Sequence, residues 1–527
     1  QRKASPARLK IAGILGAGMV VLGACEAPYE PGVIAPVEGF AGLVAGDEPR
    51  AVTIGRDVIG NGGSAADAAV AMYFTMMVTL PSRVGVAGGG ACVVHNSGLG
   101  GQEGAPFAEA FEFLADPAAP DRLQLAGPRA MAVMHARHGV LRWEALLIEA
   151  ERLARLGHGA SRAFATDLAS AAAFVAASPE LRETFSGASG RIAREGDQLV
   201  QLELSGLISG LRRQGAGYLY TGAFANRFVE SANGIGLAIT SQGLREAGPA
   251  ISPPLTVSDG DNLAYFTPHS GGLPAAQLFG ALTRVENYAG ASPAGRAHLL
   301  AEAGQRVFAA RGAWLGDRGE RAGLVGDAQL ERLMQGVSAS RHAPAAEAAA
   351  VPAVSNPFTA GFVVADRWSS AVACSFSLGG LFGDGRVVPG TGVTVPKAPE
   401  PGADNLSTAI IANTNNGTVY FAGTASGGLA APAALARVML ESRGGDLAAA
   451  VAAPRVVNVG VPDVTYVEPS LPDDIQSALR QYGHDLRAES EVGRANALSC
   501  PGGLRFDPGG CNVATDPRGH GLGVIVQ

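Results

Sequence analysis

Short apolar runs alternate with longer Ala-rich segments in both halves of the chain, and polar turns separate them. Residues 362–365 and 371–376 are rich in Val, Ala and Phe, and residues 367–370 between them are polar. This pattern predicts a β-hairpin. Neither strand alternates cleanly between apolar and polar positions, which indicates a sheet covered on both faces.

An Ala- and Met-rich helix is predicted over residues 64–80, with Ser64 as its N-cap and Asp67 in its first turn. The Gly-rich run at residues 84–90 then leads into an apolar strand at residues 91–95. This order of helix, loop and strand is the reverse of a dinucleotide-binding fingerprint, so we predict no nucleotide cofactor.

Two further helices are predicted downstream. Residues 143–156 are amphipathic, and residues 160–177 form an Ala-rich helical pattern. The predicted buried face of the first helix comprises Leu146, Leu147, Ala150, Leu153 and Ala154.

Thr359 lies at the head of the first hairpin strand, directly after a loose connector. Residues 342–355 are rich in Ala and Pro and show almost no periodicity. A Thr placed in this way fits an N-terminal nucleophile, whose Oγ attacks the preceding peptide bond and whose α-amine is freed by hydrolysis. That amine, with a pKa of about 8, then serves as the general base for the adjacent hydroxyl. The alternative is a strand-edge Thr after a flexible loop, and Thr359 taken alone favours that alternative.

Composition limits the class of protein. The 527 residues suffice for one large or two ordinary domains. The formal net charge is −7 without a basic block, which argues against a nucleic-acid partner. Hydrophobic residues make up 47% and aromatic residues only 6%, so we expect a large core built mostly from Ala, Val and Leu.

The N-terminus has the pattern of a targeting segment. Four basic side chains precede an apolar run at residues 11–21, and Leu-Gly-Ala-Cys follows, ending at Cys25. This pattern is typical of a bacterial lipoprotein signal over residues 1–24, with a lipid on the Cys25 thiol and a tether over residues 25–50. The apolar run is too short for a comfortable transmembrane helix. An ordinary secretory signal or an uncleaved anchor helix is the alternative; in each membrane-anchored case we expect the protein at the periplasmic face of the bacterial cell envelope.

The remaining cysteines divide into two pairs. Cys500 and Cys511 flank a Gly- and Pro-rich turn, and in an oxidising periplasm we predict that they form a disulfide. Cys92 and Cys374 lie in apolar strands, and we interpret both as small buried hydrophobic residues. No Cys/His spacing indicates zinc or a cluster, so we predict no metal.

The hairpin region resembles the start of the small subunit in the gamma-glutamyltransferase (glutathione hydrolase) family. In that family a Thr opens the strand, an Asp closes it, and two Gly-rich loops follow. Here Thr359 and Asp366 take these positions, and residues 382–385 and 389–392 match the loops. Further matching motifs occur in the family's order from about Ala51 onward, so the chain is identified as a member of the family.

The resemblance implies an α/β fold, a four-layer α/β/β/α sandwich of the N-terminal nucleophile hydrolase type. It implies a large-subunit-like segment over residues 51–358 and a small-subunit-like segment over residues 359–527. Because the family's two sheets take strands from both sides of the cleavage point, we expect the two segments to form one intertwined domain.

The resemblance also implies site residues. Thr359 takes the position of the nucleophile, and Ser377 that of a second hydroxyl which supports it. Gly427 and Gly428 fall on the family's oxyanion loop, where backbone N–H groups face the developing charge; an ordinary helix-entry turn is the alternative. The family's Ser-Ser pair, which helps to hold the substrate carboxylate, corresponds to Ser407 and Thr408.

Substrate recognition is where the sequence departs from the family. Leu114 replaces the Arg that reads the α-carboxylate, and Leu can make none of those hydrogen bonds. Gly379 replaces an Asn, and residues 393–398 lack both the Asn-Asn pair and the Asp that binds the substrate amine.

Two function classes remain open. The first is a periplasmic amidohydrolase or acyltransferase that uses Thr359 on a small amide or peptide with altered acyl specificity. The second is a degenerate member that serves as a membrane-anchored structural or partner-binding subunit of a membrane complex. The retained Thr359, Ser377, Gly427 and Gly428 favour the first class, and the lost substrate contacts favour the second or a changed substrate. Neither class requires a cofactor.

We expect the mature protein to carry diacylglycerol on Cys25, because the residues before it form a basic and apolar signal. The mass of the N-terminal peptide measures this directly, and Cys25→Ser should abolish the added mass. Recovery of residues 1–24 in the mature protein would contradict lipidation and indicate an anchor helix.

Overall fold

The structure is a computed structural model. It describes residues 39–100, 104–114, 123–186, 190–269, 271–311, 321–344, 358–398 and 406–527. Cys25, the rest of the predicted targeting segment and most of the predicted connector lie outside these ranges. Within them, no helix combines the length and the apolar character needed to cross a bilayer.

The described residues form twenty strands and seventeen α-helices. The strands are β1 Gly42–Gly46, β2 Gly89–Asn96, β3 Phe107–Phe113, β4 His158–Gly159, β5 Gln198–Leu199, β6 Ala250–Ser252, β7 Leu255–Asp259, β8 Asn262–Phe266, β9 Thr359–Asp366, β10 Ala371–Ser377, β11 Val387–Val388, β12 Val393–Thr394, β13 Ser407–Asn413, β14 Val419–Ser426, β15 Val456–Asn458, β16 Thr465–Val467, β17 Leu486–Ala488, β18 Arg494–Ser499, β19 Asn512–Ala514 and β20 Leu522–Val526. The helices are α1 Pro49–Gly60, α2 Ala65–Thr79, α3 Ala126–His138, α4 Trp143–Leu146, α5 Ile148–Leu156, α6 Arg162–Ser170, α7 Ala172–Ala177, α8 Pro179–Phe185, α9 Leu202–Gln214, α10 Gly222–Gly234, α11 Ser241–Glu246, α12 Gly272–Thr283, α13 Pro293–Ala309, α14 Asp327–Met334, α15 Ala431–Glu441, α16 Leu447–Ala452 and α17 Asp473–Tyr482.

Two antiparallel sheets form the centre of the fold. The first has the strand order β20-β1-β9-β10-β2-β3-β6, and the second has the order β19-β18-β14-β13-β8-β7. The hairpin predicted from the sequence is β9–β10, with Thr359 opposite Ser377 at its open end. This hairpin lies between β1 and β2, and the first sheet combines β2, β3 and β6 of the predicted large-subunit-like segment with β9, β10 and β20 of the small-subunit-like segment.

The two sheets pack face to face, and helices cover their outer faces. Small apolar side chains such as Val363, Ala373 and Ile410 fill the space between the sheets. The helix α2 packs on the outer face of the first sheet and is buried along its whole length, and α12 and α15 cover the second sheet. The predicted four-layer α/β/β/α sandwich is therefore confirmed. The predicted N-cap of α2 is confirmed as well, since Ser64 Oγ accepts the Asp67 N–H at 3.2 Å.

The predicted tether over residues 25–50 is wrong in its second half. Residues 42–46 form β1, a fully buried strand between β20 and β9. The run is short and contains only Gly, Leu, Val and Ala, so nothing local distinguishes it from a spacer. Its burial follows from the two strands that pair with it, which lie far away in the sequence.

Two predicted helices are each interrupted. The helix predicted over residues 143–156 consists of α4 and α5 with a break at Leu147, and the next is divided into α6 and α7 at Ala171. The predicted apolar face of the first is confirmed, because all five of its residues are buried. Hydrophobic periodicity survives a one-residue break in the hydrogen-bond ladder, and for that reason it did not reveal these breaks.

The cysteines form two disulfides. The predicted Cys500–Cys511 bond is present. Cys92 and Cys374 are buried as predicted, but they are more than small hydrophobic residues, because pairing of β2 with β10 places them directly opposite each other and they are bonded. A separation of 282 residues gives no sequence signal for this bond. The bond joins the large-subunit-like segment to the small-subunit-like segment.

Candidate functional site

Thr359 is the first residue of β9 and is fully buried. Within the described residues, no group hydrogen-bonds its Oγ1. A buried hydroxyl without a partner costs about 1–3 kcal/mol, and a catalytic role is one physical explanation for such a group. The nucleophile predicted from the sequence is therefore a buried hydroxyl that the surrounding protein leaves unbonded.

The hydroxyl of Thr359 faces the second sheet. Side chains alternate along a strand, so Thr359 shares a face with Val363 and Ala365, which pack between the two sheets. A Cβ built on Gly361, on the same face, would lie 2.6 Å from Oγ1 of Thr424 on β14. The inner face of β9 thus lies against β14, the strand that leads into the predicted oxyanion loop.

Ser377 is the ladder neighbour of Thr359, but the two hydroxyls are not bonded to each other. Ser377 Oγ accepts the Gly379 N–H at 2.8 Å. Its hydroxyl hydrogen is not needed for that bond. Ser377 therefore lies where the sequence predicted, while its observed contact shapes the turn after β10.

The turn after β10 explains why Gly occupies the position of the family's Asn. Gly379 has φ +72°, and a Cβ there would lie 2.2 Å from the Lys397 carbonyl oxygen. The Lys397 N–H also donates to the Leu378 carbonyl at 2.8 Å. Because the backbone at Lys397 fills the space, a side chain at residue 379 has no room with the loop in this conformation.

Gly427 and Gly428 follow β14 directly and turn the chain towards α15. Both have positive φ, +123° and +59°, which other residues adopt only with strain. A Cβ on Gly427 would lie 2.5 Å from Cα of Gly493. Gly is therefore required at residue 427 both for its conformation and for this close approach of two backbones.

The Gly427–Gly428 loop lies at the same end of the sandwich as Thr359. Ser426, immediately before the loop, pairs with Arg494 on β18. Arg494 and Phe358 line one cavity, and Phe358 precedes the nucleophile. The second sheet thus brings the predicted oxyanion loop to the end of β9 that carries the hydroxyl.

A buried ion-pair network lies next to the Gly427–Gly428 loop and bonds the backbone at residues 493 and 495. Arg455 is 2% exposed and donates to the Gly493 carbonyl and, at 2.6 Å, to Asp516. Asp516 also accepts the Ala495 N–H at 2.8 Å. Burial alone would raise the pKa of the Asp516 carboxyl, but the Arg455 and Arg518 guanidiniums reverse that shift and hold the pKa below its usual range. The network fixes residues 493–495, against which Gly427 packs.

Ser407 and Thr408 lie at the start of β13, next to β14 in the second sheet. Both are buried. Ser407 Oγ donates to the Gly271 carbonyl at 3.4 Å, whereas Oγ1 of Thr408 has no hydrogen-bond partner within the described ranges. Thr408 pairs with Thr424, so its hydroxyl adds to the polar surface opposite β9.

A cavity of about 490 Å³ is lined by Phe358, which precedes Thr359, and by Arg83, which bonds the Thr359 carbonyl; Thr359 itself does not line it. Its lining combines the apolar side chains of Leu80, Phe174, Phe358 and Leu381 with charged groups of both signs. The titratable groups are Asp47, Arg83, Asp167, Lys397, Glu491, Arg494, Arg518 and His520. None of these groups is among the site residues predicted from the sequence.

Arg83, which sequence reasoning missed, contacts Thr359 directly. Its Nη1 donates to the Thr359 carbonyl oxygen at 3.0 Å, and its other donors bond both carboxylate oxygens of Asp167 at 2.6 and 2.7 Å. One sequence signal existed. Between Asp67 and Glu103, Arg83 is the only Lys, Arg, Asp or Glu in a largely apolar stretch.

Asp47 hydrogen-bonds Gly361, the next residue after Thr359 on the inner face of β9. Its Oδ2 accepts the Gly361 N–H at 2.7 Å, and its Oδ1 accepts the Asn496 side-chain amide at 2.9 Å. Asp47 was assigned to the tether, which is why its role was not predicted.

A separate group of side chains has ligand atoms within reach of one metal ion. His298, Glu302 and His484 are buried, and one ligand atom of each lies within 4.8 Å of the others. Sequence spacing gave no indication of this group, because His484 comes from a distant segment. Hydrogen bonds account for it: His298 Nδ1 lies 2.7 Å from His484 Nε2, and Glu302 bonds Arg306 and His342.

A second and larger cavity, of about 840 Å³, lies between the outer helices of the second sheet. Leu300, Arg437 and Ile475 are among its lining residues. Unlike the first cavity, it is lined by neither Phe358 nor Arg83, so none of its lining residues connects it with Thr359.

Comparison with known proteins agrees with the predicted family and fold. The family model described as Gamma-glutamyltranspeptidase matches residues 51–526. The glutathione hydrolase proenzyme of Pseudomonas aeruginosa is 27% identical, with 92% of this chain and 95% of that protein covered. The acylase ACY 1 proenzyme of Pseudomonas sp. (strain V22) is 26% identical, with coverages of 90% and 91%. Among solved structures, the cephalosporin acylase from Bacillus halodurans superposes with a TM-score of 0.75 at 20% identity, covering 96% of this chain and all of that one, which supports the fold.

We expect Asp516→Asn to lower the free energy of unfolding by about 3–5 kcal/mol, because it leaves the buried Arg455 guanidinium without its counter-ion. The matched control is Asp384→Asn, which breaks the exposed pair with Arg386 and should cost about 0–1 kcal/mol. Denaturant unfolding of both variants measures the difference. Equal losses for the two variants would contradict the supporting role of the network.

Proposed function

Because the chain belongs to the gamma-glutamyltranspeptidase family, we propose that it is a self-processing amidohydrolase with Thr359 as its nucleophile. The observation that carries this proposal is the buried, unbonded Oγ1 of Thr359 at the end of β9 where the Gly427–Gly428 loop also lies. Relatives named as glutathione hydrolase and acylase proenzymes support both the self-processing and the amide substrate.

Self-processing would proceed by an N-to-O acyl shift. Oγ of Thr359 attacks the carbonyl carbon of Phe358, the C–N bond breaks, and the hydroxyl proton passes to the departing nitrogen. Water then hydrolyses the resulting ester, which leaves a carboxylate on Phe358 and a free hydroxyl and α-amine on Thr359. The same amine can then accept the hydroxyl proton when Thr359 attacks an external amide.

Turnover of an external amide would repeat this chemistry in the cavity next to Thr359. The acyl carbon bonds Oγ, the amine of Thr359 passes its proton to the leaving nitrogen, and water releases the acid. Backbone N–H groups of the Gly427–Gly428 loop are the proposed donors to the oxyanion, since preorganised donors near a buried site stabilise the developing charge most effectively. Ser407 and Thr408, on the strand beside this loop, are the proposed contacts for a substrate anion.

The second candidate is a degenerate family member that serves as a binding or structural subunit. One observation favours it: the positions that hold the family's γ-glutamyl group are changed at Leu114 and Gly379, and the second is closed sterically by Lys397. A protein that retains the fold but not the chemistry would show neither self-cleavage nor turnover.

Self-cleavage should divide the 527-residue chain between Phe358 and Thr359, giving pieces of 358 residues (fewer after signal removal) and 169 residues. Thr359→Val, which removes the hydroxyl at nearly constant volume, should remain intact, and Thr359→Ser should be cut more slowly. Reduced denaturing gels with N-terminal sequencing of the shorter piece measure the reaction.

The Cys92–Cys374 disulfide makes the reducing agent essential to this test. It joins residues on either side of the proposed cleavage point, so the cut protein should run as one band without reductant and as two bands with it. A Cys374→Ser variant should give two bands under both conditions. A wild-type chain that stays whole under reduction after long incubation would favour the degenerate subunit.

We expect glutathione to be a poor substrate even for the self-cleaved protein. The Arg and the amine-binding Asp of the family are absent, and each lost charged contact costs about 1.5–3 kcal/mol, so kcat/KM should fall by roughly two to four orders of magnitude. Leu114→Arg should raise glutathione turnover about 10-fold or more, with Leu114→Met as the size-matched control. The measurement compares glutamate release from glutathione with acid release from amides that lack the α-amino acid group. Glutathione turnover at a rate ordinary for the family would contradict the altered specificity.

A further inference from the structure

The main chain of Thr359 is hydrogen-bonded by the Arg83 side chain on the side where β1 bonds the rest of β9. Along most of β9, the strand β1 supplies hydrogen-bond partners on one side, with the ladder running from Asp366 opposite Gly42 to Phe362 opposite Gly46. After Gly46 the chain leaves the sheet and enters α1 at Pro49. The first three residues of β9, from Thr359 to Gly361, therefore extend beyond the strand that supports the others.

Two side-chain groups replace the missing strand. Asp47 exchanges bonds with Gly361, giving its N–H to the Gly361 carbonyl at 3.1 Å and accepting the Gly361 N–H at 2.7 Å. One period further, Arg83 Nη1 donates to the Thr359 carbonyl at 3.0 Å. The backbone of the proposed nucleophile is thus held on this side by a guanidinium.

The guanidinium itself is rigidly held. Its Nε and Nη2 bond the two carboxylate oxygens of Asp167 on α6, and the Ser82 hydroxyl donates to the same carboxylate at 2.6 Å. The Arg83 and Asp167 side chains are 8% and 3% exposed. A bidentate pair fixes the plane of the guanidinium as well as its position, so Nη1 has one direction in which to point.

We propose that Arg83, oriented by Asp167, is the positioning residue for the Thr359 nucleophile. This inference rests on the proposed function and adds to it a residue that the family comparison and the sequence motifs do not indicate. Arg83 acts through the main chain of Thr359, which it holds so that the hydroxyl and the amide nitrogen keep a fixed relation to the cavity.

Strand geometry connects this contact to the proposed base. In a β-strand the N–H and C=O groups of one residue point to the same side, so the nitrogen of Thr359 lies on the side from which Arg83 approaches. After cleavage that nitrogen is the α-amine. A fixed guanidinium close to it opposes formation of the ammonium ion and favours the neutral amine that the mechanism needs.

Other charged groups line the same cavity as Arg83 and contribute to the electrostatic field around Thr359. The negative groups are Asp47, Asp167 and Glu491, and the cationic or titratable groups besides Arg83 are Lys397, Arg494, Arg518 and His520. Substituting Arg83 removes one cation from this set and leaves Asp167 without its partner. Both effects stabilise the ammonium ion, so they act in the same direction on the pH profile.

A purely structural salt bridge is the competing explanation for the Arg83–Asp167 pair. The matched control is the Arg212–Glu151 pair, which joins α9 to α5 in the outer helical layer. Arg212→Met breaks a comparable ion pair without touching the site. Thermal unfolding shows whether the Arg83 and Arg212 variants are folded to a similar extent.

The experiment compares Arg83→Met, Arg83→Lys and Arg212→Met in the full chain. We expect Arg83→Met to slow self-cleavage roughly 10- to 150-fold, the loss expected for a charged hydrogen bond, and Arg83→Lys to fall between it and the wild type. In turnover of an external amide, Arg83→Met should lower kcat with little change in KM, and the acid limb of its kcat/KM profile should move to higher pH. Arg212→Met should match the wild type in rate and profile.

Two results would overturn the inference. One is self-cleavage of folded Arg83→Met at the wild-type rate with an unchanged pH profile. The other result applies if Arg83→Met does not fold. In that case Arg83→Gln, which keeps an N–H donor but has no charge, is tested instead, and a wild-type rate together with a wild-type pH profile would overturn the inference. A wild-type chain that neither cuts itself nor hydrolyses amides would remove the premise together with the inference, whereas an active wild type with unaffected variants would reject Arg83 alone.

Discussion

Two packed sheets hold together through the apolar side chains between them, yet the proposed nucleophile lies in that same space. Over most of the sandwich this space contains side chains such as Val363 and Ile410. At one end it contains the hydroxyls of Thr359, Thr408 and Thr424, none of which has a hydrogen-bond partner in the part of the chain that the structure describes. Each such group costs about 1–3 kcal/mol. The unpaired hydroxyls at this end lower the stability of the folded protein. The apolar contacts in the rest of the sandwich and in the outer helices must offset that loss.

The buried ion pairs at this end of the sandwich orient backbone groups more than they stabilise the fold. Removing two charges from water offsets much of their attraction, so a pair such as Arg83–Asp167 or Arg455–Asp516 is weak evidence of stabilisation. What both pairs do is direct a guanidinium at a carbonyl oxygen, of Thr359 in one case and Gly493 in the other. The backbone of Thr359, the proposed nucleophile, and the backbone of Gly493, next to the proposed oxyanion loop, are thus each held by a guanidinium, one on each sheet.

The sequence was sufficient where the signal was local or belonged to a family motif. The β9–β10 hairpin, the cap of α2 and the Cys500–Cys511 bond all depend on residues close together in the chain. The sequence was insufficient where two distant segments meet. The burial of β1, the Cys92–Cys374 bond and the Arg83 contact with Thr359 all depend on strand order, which periodicity does not encode. Arg83 is visible in the sequence as an isolated charge in an apolar stretch, but only the structure shows that it contacts Thr359.

Two of the departures expected from the family pattern lie next to each other in the structure. The backbone of Lys397 occupies the space that a side chain at residue 379 would need. The proposed change of substrate therefore concerns one connected part of the site. It leaves Thr359, the proposed nucleophile, in place.

The central claim is that Thr359 forms the covalent bond to the acyl group. Mass spectrometry of protein quenched during turnover of a reactive amide or ester tests it most directly, with the reduced protein digested and the peptide that begins at Thr359 isolated. The account predicts that this peptide carries the mass of the acyl group on the Thr359 hydroxyl, and that Thr359→Val carries none. Turnover with the acyl group on another residue would contradict it, as would an equal amount of adduct in Thr359→Val.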